Sequence, residues 1–203
     1  MGIYSKLIYP KLLERAMSKP SIMILRKKLL LDIKGEILEV GFGTGINLRF
    51  YPNNVTKITA IDVNEILEEK SKKRVEEQLI SVNYMRVGAE KLPFDDNSFD
   101  SVVSTFTFCS ISDIEGALSE FYRVLKPGGR LFFLEHGLSP DKQVSFFQNL
   151  LNPIFKAVSC SINRDIKAII KSKSFETITF EEFYMDYAIK LLWFLYMGVV
   201  KKD

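Results

Sequence analysis

The sequence predicts an α/β fold built on an open, mainly parallel sheet, and three observations predict it. Apolar runs of strand length, at 36–40, 55–61, 82–87, 101–106 and 130–134, alternate with longer segments of helical pattern. The first run ends in Gly41-Phe42-Gly43-Thr44-Gly45, a turn rich enough in glycine to bring backbone N–H groups against a ligand, unless it is a bare turn. Asp62 closes the second run 17 residues beyond Gly45. That is close to the separation at which a strand-end carboxylate meets ribose hydroxyls.

At 203 residues the expectation is one domain over 1–203, burying roughly 70% of the surface its unfolded chain would expose, with no metal or disulfide needed to hold it. Its 47% hydrophobic and 26% charged residues are those of an ordinary globular chain, and a net charge of +3 is too small to point to nucleic acid. Cys109 and Cys160 lack C-x-x-C spacing, which argues against a zinc site and for a reducing compartment. His136 is the single histidine, so a histidine metal cluster is not expected. Lys6, Lys11, Glu14 and Arg15 break every run of signal-peptide type, and the longest apolar stretch, 191–200, is too short to span a bilayer. These features read as a cytoplasmic protein.

Residues 1–34 read as a basic helical lid. Lys6, Lys11, Arg15, Lys19, Arg26, Lys27, Lys28 and Lys34 stand against Glu14 and Asp32. Tyr4, Leu7, Ile8, Leu12 and Leu13, then Ile22, Leu25 and Leu29, recur at helical spacing, and Pro10 and Pro20 divide the segment. An apolar face packed on the domain fits this pattern, and so does a basic amphipathic surface touching anionic membrane.

After the glycine turn a short helix is expected from Ile46 until Pro52, and Asn64 is the candidate cap of a charged helix over 65–79. Asp62 can accept two hydrogen bonds from a vicinal diol, or cap that same helix. The third strand leads into Gly88-Ala89-Glu90, and the fourth, apolar as a strand buried on both faces should be, continues into Thr105-Phe106-Thr107-Phe108-Cys109-Ser110. Those residues lie at the strand ends where open α/β sheets bind ligands, so Phe106 and Phe108 either wall off water or fill the core. Ser112-Asp113-Ile114-Glu115 has capping-box spacing and opens a helix to Leu125. Lys126-Pro127-Gly128-Gly129 then turns into the fifth strand, which ends at Glu135-His136. There His136 can take a proton from a substrate or serve as a hydrogen-bonded structural group. Helices over 140–158, interrupted at Pro153, and after Asn163, the candidate cap, precede two aromatic-rich strands at 178–187 and 191–200.

Glu39-Val40-Gly41-Phe42-Gly43-Thr44-Gly45 departs from the dinucleotide fingerprint G-x-G-x-x-G, because its third glycine comes one residue early. It resembles instead motif I of the class I S-adenosylmethionine (SAM) methyltransferases. A-E-K-L-P-F-D-D-N-S-F-D (89–100) resembles a second segment of that family, and R-V-L-K-P-G-G-R-L (123–131) a third. A narrower likeness is carried by G-T-G-I-N-L-R-F-Y-P (43–52), T-F-T-F-C-S-I (105–111), L-E-H-G (134–137) and C-S-I-N-R-D (160–165). It is to methyltransferase-like proteins implicated in alkyl-thiol S-methylation, in a group that includes ubiquinone/menaquinone-biosynthesis methyltransferases. The animal members carry a long hydrophobic N-terminal anchor that residues 1–34 do not resemble, so membrane attachment is not implied.

The resemblance implies a Rossmann-like, seven-stranded sheet with the last strand antiparallel and helices on both faces. It places SAM across the ends of the first strands, with Glu39, Gly41, Phe42, Gly43 and Gly45 at its methionine and ribose portions and Asp62 at the ribose diol. Val63, Asn64, Ala89 and Glu90 fall at the adenine, and Thr105 and Phe106 on the sulfonium side. Many relatives have Asp or Asn where Gly88 stands, so the Ala89 backbone or the Glu90 side chain takes over the adenine contact. The implied acceptor is a small molecule, a thiol or alternatively a quinone precursor or lipid amine. A SAM-binding protein without chemistry is a further reading. An NAD-dependent oxidoreductase is disfavoured by the glycine spacing, and a nucleic-acid methyltransferase by Thr105-Phe106-Thr107-Phe108 standing where a D/N-P-P-Y/F tetrad would. Cys109 reads as an inert buried thiol, or as an acceptor or transient nucleophile. Oligomeric state is left open.

Overall fold

The computed structural model describes residues 14–186 and 188–203. The proposed lid face formed by Tyr4, Leu7, Ile8, Leu12 and Leu13, and Tyr187 at the expected end of the sixth strand, lie outside the described residues. Seven strands form one sheet: β1 Ile37–Val40, β2 Lys57–Ile61, β3 Ser81–Met85, β4 Phe99–Thr105, β5 Leu125–His136, β6 Phe175–Tyr184 and β7 Phe194–Lys202. Their order is β3-β2-β1-β4-β5-β7-β6. Neighbours from β3 to β5 are parallel, and β7 runs antiparallel between β5 and β6. The helices are α1 Pro20–Leu30, α2 Glu65–Glu76, α3 Ile114–Val124, α4 Lys142–Lys156 and α5 Ile166–Lys171. None among the described residues is long and apolar enough to cross a membrane.

The period of two along each strand divides the core between the faces of the sheet. Leu38, Val102, Leu131 and Phe133 pack on one side with Phe121 of α3 and Ile166 and Ile170 of α5. Ile37, Val103, Phe132 and Leu134 pack on the other with Ile22, Leu29 and Leu30 of α1, and with Val75 of α2. The described part of the basic N-terminal segment therefore lays an apolar stripe on the sheet and leaves Lys27 and Lys28 outside.

Several local expectations change. The helix after the glycine turn is a single 3-10 stretch, Ile46–Phe50, since it starts from Gly45 in the left-handed region and is stopped by Pro52 before an α-helix can propagate. α2 ends at Glu76, short of residue 79. β5 starts at Leu125 because Leu125 pairs with Phe99, and the Lys126–Gly129 turn becomes its irregular lead-in, with Gly128 at φ 76°. The cap of α3 is Asp113, whose Oδ1 accepts from Gly116 N–H at 2.9 Å, and not Ser112. Gly116 makes this possible, since a Cβ there would sit 2.3 Å from Asp113 Oδ2. α4 runs through Pro153, which falls in the last turn of the helix. α5 is capped by Asp165, which accepts from Ala168 N–H, while Asn163 donates to Asn149 Oδ1 at 2.8 Å and ties its loop to α4.

Candidate active site

Three consecutive turns of backbone at the C-terminal end of β1 depend on glycine, with φ of 69°, 58° and 71° at Gly41, Gly43 and Gly45. Gly41 and Phe42 donate their N–H groups to Ile61 O, which pins the turn to the end of β2. A Cβ on Gly41 would lie 2.2 Å from Thr107 Oγ1, so the turn and the end of β4 pack backbone against side chain. A Cβ on Gly43 would meet only Gly41 O among the described residues, at 3.8 Å, so this face of the turn is open. The Gly43 N–H donates to Asp62 Oδ2 at 2.8 Å, and Asn64 N–H donates to Oδ1 at 2.9 Å. The Asp62 carboxylate is thus fixed against the turn, and burial raises it above the ordinary aspartate range in spite of those donors.

A cavity of about 640 Å³ extends from this turn along the ends of β1, β2, β4 and β5, within the range of small-molecule sites. Glu39, Gly41, Phe42, Gly43, Asp62, Val63, Asn64, Ala89, Glu90, Thr105, Phe106 and His136 all line it. Gly45 does not; it faces Phe42 and Leu48, and its part is to shape the turn. A Cβ on Gly88 would fall 2.9 Å from Glu90 Oε2, so the Glu90 carboxylate occupies the space beside the missing side chain. Of the two aromatics after β4, Phe106 lines the cavity and Phe108 is wholly buried in the core against Phe121.

Beneath the turn lies a buried polar cluster. Glu39 Oε1 accepts from Asn47 Nδ2 at 2.9 Å and Oε2 from the Tyr51 hydroxyl at 2.6 Å. Arg26 of α1 reaches in, donating to Asn47 Oδ1 at 2.7 Å and Thr105 Oγ1 at 2.6 Å. Its guanidinium also stands 5.3 Å from the ring of Phe106. Burial pulls Arg26 down to about 10 and pushes Glu39 up to about 7, and each charge partly offsets the desolvation of the other. Arg26 lines the cavity, and its Nε is buried with no hydrogen-bond partner among the described residues. Phe106 holds φ 55°, a strained setting for a bulky residue, kept by its N–H bond to Leu134 O and an edge contact with Trp193.

The far end of the cavity is organised by Glu135. Its wholly buried carboxylate accepts from Ser104 Oγ at 2.8 Å, Thr107 N–H at 2.9 Å and Phe108 N–H at 3.1 Å, holding the turn after β4. Next to it, His136 Nε2 lies 3.6 Å from Cys160 Sγ. Ser161 N–H donates to Cys109 O at 2.9 Å and joins the loop after α4 to the turn after β4. The two sulfurs and a ring nitrogen of His136 all come within 4.8 Å of one another, and all three residues line the cavity. The Cys160 thiol is drawn down by the Cys109 S–H, then by His136, while Cys109 is pushed up.

A family model described as a methyltransferase domain matches residues 38–133. A thiol S-methyltransferase of Rattus norvegicus is 35% identical over 162 residues, 74% of this chain and 66% of that protein. A ubiquinone/menaquinone biosynthesis C-methyltransferase of Haemophilus ducreyi is 34% identical over 119 residues, 54% of this chain and 46% of that protein. Among solved structures, a geranyl diphosphate methyltransferase in complex with SAM superposes with a TM-score of 0.73 at 14% identity, covering 96% of this chain and 90% of that one. Residues 38–133 match that methyltransferase domain, and the chain has the fold of the solved SAM-dependent methyltransferases. It spans less than two thirds of the length of the curated relatives it matches.

The glycine-turn end of the cavity was legible from sequence, since the 39–45 turn, Asp62 and the 89–100 segment are contiguous signals that the fold brings to one cavity. Arg26, Asn47 and Cys160 were not singled out for the site. Arg26 is one of eight basic residues before position 35, and its one distinguishing mark is its place on the apolar side of α1, beside Ile22, Leu29 and Leu30. The absence of C-x-x-C spacing argued against a metal site, yet here one ligand-type group comes from each of three separate chain segments. Local spacing does not register such a set.

Proposed function

We propose that the chain transfers the methyl group of SAM to the sulfur of a small-molecule thiol. What carries this reading is the continuity of one cavity from the Asp62–glycine turn to Cys109, His136 and Cys160. The thiol S-methyltransferase relatives support it. The cavity suits SAM by its own chemistry: an open Gly43 face, a carboxylate already fixed at Asp62, and a buried Nε on Arg26 that has no partner among the described residues. When bound, SAM supplies an electrophilic methyl carbon on a sulfonium whose departure leaves a neutral thioether.

In this reading Asp62 accepts from the ribose hydroxyls, and Val63, Asn64, Ala89 and Glu90 surround the adenine. Gly41, Phe42 and Gly43 bring backbone to the methionine portion, and Arg26 meets its carboxylate. Gly45 shapes that turn. Glu39 holds Asn47 and Tyr51, and through them the floor of the site. Thr105 orients Arg26. Phe106 excludes water from the reacting end, where orientation of the two partners can contribute up to about 7–11 kcal/mol. A thiol of pKa near 8.5 must also lose its proton, and His136 is the residue through which that occurs. The domain over 1–203, with its N-terminal helices as a lid, belongs to the same proposal. So does a small-molecule partner that is not nucleic acid. A second reading, methylation of a quinone-precursor ring carbon, is favoured by the C-methyltransferase relatives alone.

His136→Ala, assayed with saturating SAM and alkyl thiol, is expected to lower kcat by about 10²-fold or more and to change its pH profile. Wild-type rate and profile in the variant would exclude His136 from proton removal.

A further inference from the structure

Cys109, His136 and Cys160 sit at the reacting end of the cavity and come from three places in the chain: the turn after β4, the last residue of β5 and the loop after α4. Their donor atoms are two sulfurs and an imidazole nitrogen, the soft and borderline set that selects zinc over magnesium or calcium. Zinc–sulfur bonds of about 2.3 Å and zinc–nitrogen bonds of about 2.0–2.1 Å in a tetrahedron imply S···N edges of about 3.5 Å. The Cys160 Sγ to His136 Nε2 separation is 3.6 Å, and all three donor atoms lie within 4.8 Å of one another. The backbone bond from Ser161 N–H to Cys109 O at 2.9 Å fixes the two cysteine-bearing segments side by side, so little movement would bring the ligands to one ion. Three protein ligands leave one tetrahedral position vacant, as in catalytic zinc sites, and all three residues border the cavity.

We propose that Cys109, His136 and Cys160 form a three-ligand zinc site whose fourth position opens on the cavity and takes the sulfur of the methyl acceptor. The inference deepens the thiol-methylation reading and rests on it for the occupant of that position. It also gives the route by which His136 serves deprotonation: as a ligand of the ion, which strips the proton from a coordinating thiol. The acceptor S–H releases its proton to solvent and its sulfur binds the ion. That sulfur then forms a bond to the methyl carbon as the carbon–sulfonium bond breaks, and the departing sulfur keeps the electron pair. Two cysteine thiolates cancel the charge of the ion, and an acceptor thiolate adds one negative charge. Arg164, which donates to Ile111 O two residues past Cys109 and whose buried Nε has no hydrogen-bond partner among the described residues, is placed to balance it.

The test uses cobalt(II) as the spectroscopic probe for zinc, on the full chain stripped with a chelator and kept reduced with a phosphine. About one equivalent of cobalt per chain is expected to produce thiolate-to-cobalt absorption and the visible bands of tetrahedral cobalt, both abolished by zinc. Adding a small alkyl thiol should shift the visible bands. Cys160→Ser and Cys109→Ser should each lose about half of the thiolate absorption or more, and the double variant all of it, while binding SAM with wild-type affinity, which shows that they fold; His136→Ala should weaken cobalt binding. Absent or non-saturable thiolate absorption in the wild type, or absorption unchanged in both serine variants, would overturn the site. Methylation of thiols by chelator-treated protein at the full rate would overturn it too, and leave the thiol reading standing. A metal site with the expected spectrum but no methylated thiol would instead sink the thiol reading, and with it the acceptor as fourth ligand.

Discussion

Glu39 and Gly41 show how single positions carry the site. Burial lifts the Glu39 carboxyl from an ordinary 4.5 to about 7, against the pull of Tyr51, Asn47 and Arg26. Below pH about 4.5 the group is protonated in the folded and unfolded chain alike, and its contribution to stability is fully present. Between about 4.5 and 7 the unfolded chain loses the proton that the fold retains, so stability falls as pH rises, by about 3 kcal/mol in total for this one group, and levels off above. Urea midpoints taken across that range should show this decline in the wild type and a shallower one in Glu39→Gln; equal slopes would remove Glu39 as its source. At Gly41 the constraint is steric. Gly41→Ala must place a methyl 2.2 Å from Thr107 Oγ1 at φ 69°, and should cost about 2 kcal/mol or more of stability in the same assay. A loss below about 0.5 kcal/mol would mean that the turn relaxes away from β4 freely. Both residues were legible in sequence as parts of one motif, but for Glu39 the motif suggested a ligand contact. Its two carboxylate oxygens each accept one bond, from Asn47 and Tyr51, because the 3-10 stretch folds back beneath the turn, while Glu39 also borders the cavity.

Among the elements, boundaries and caps are where sequence and structure part. The central strands β1, β4 and β5 were visible as apolar runs because burial on both faces demands such runs, whereas the edge strands β3 and β6 are largely exposed; all seven appear. Ser112-x-x-Glu115 has the right spacing for a capping box, but Asp113 takes the helix N-terminus because Gly116 leaves room for its carboxylate to fold over the first turn. Asp113→Ala should therefore cost about 1 kcal/mol in thermal or urea unfolding, and Ser112→Ala close to nothing. The reverse order would restore Ser112 as the cap. Likewise Asn163 looked like a cap, and Asp165 two residues later does the capping while Asn163 ties its loop to Asn149. Propensity ranks these residues almost equally, so the choice among neighbours is made by packing.

At the scale of the whole molecule, the sheet order places the ends of β1, β2, β4 and β5 around one cavity, and α1 closes part of it with Arg26. The seven strands and the antiparallel β7 followed from a resemblance whose strongest marks lie in residues 39–131. The cluster of Cys109, His136 and Cys160 did not, since the three meet only after β5 and the loop beyond α4 have packed beside the turn after β4. The central claim is that this cavity joins SAM to the sulfur of a small thiol. The measurement that tests it most directly is methyl transfer from labelled SAM to a panel of a short alkyl thiol, a demethylated quinone precursor and an aminophospholipid, with product masses read for each. The account predicts a labelled methyl thioether from the thiol and no labelled product from the other two. A labelled ring carbon or amine, or no product from a protein that binds SAM, would contradict it.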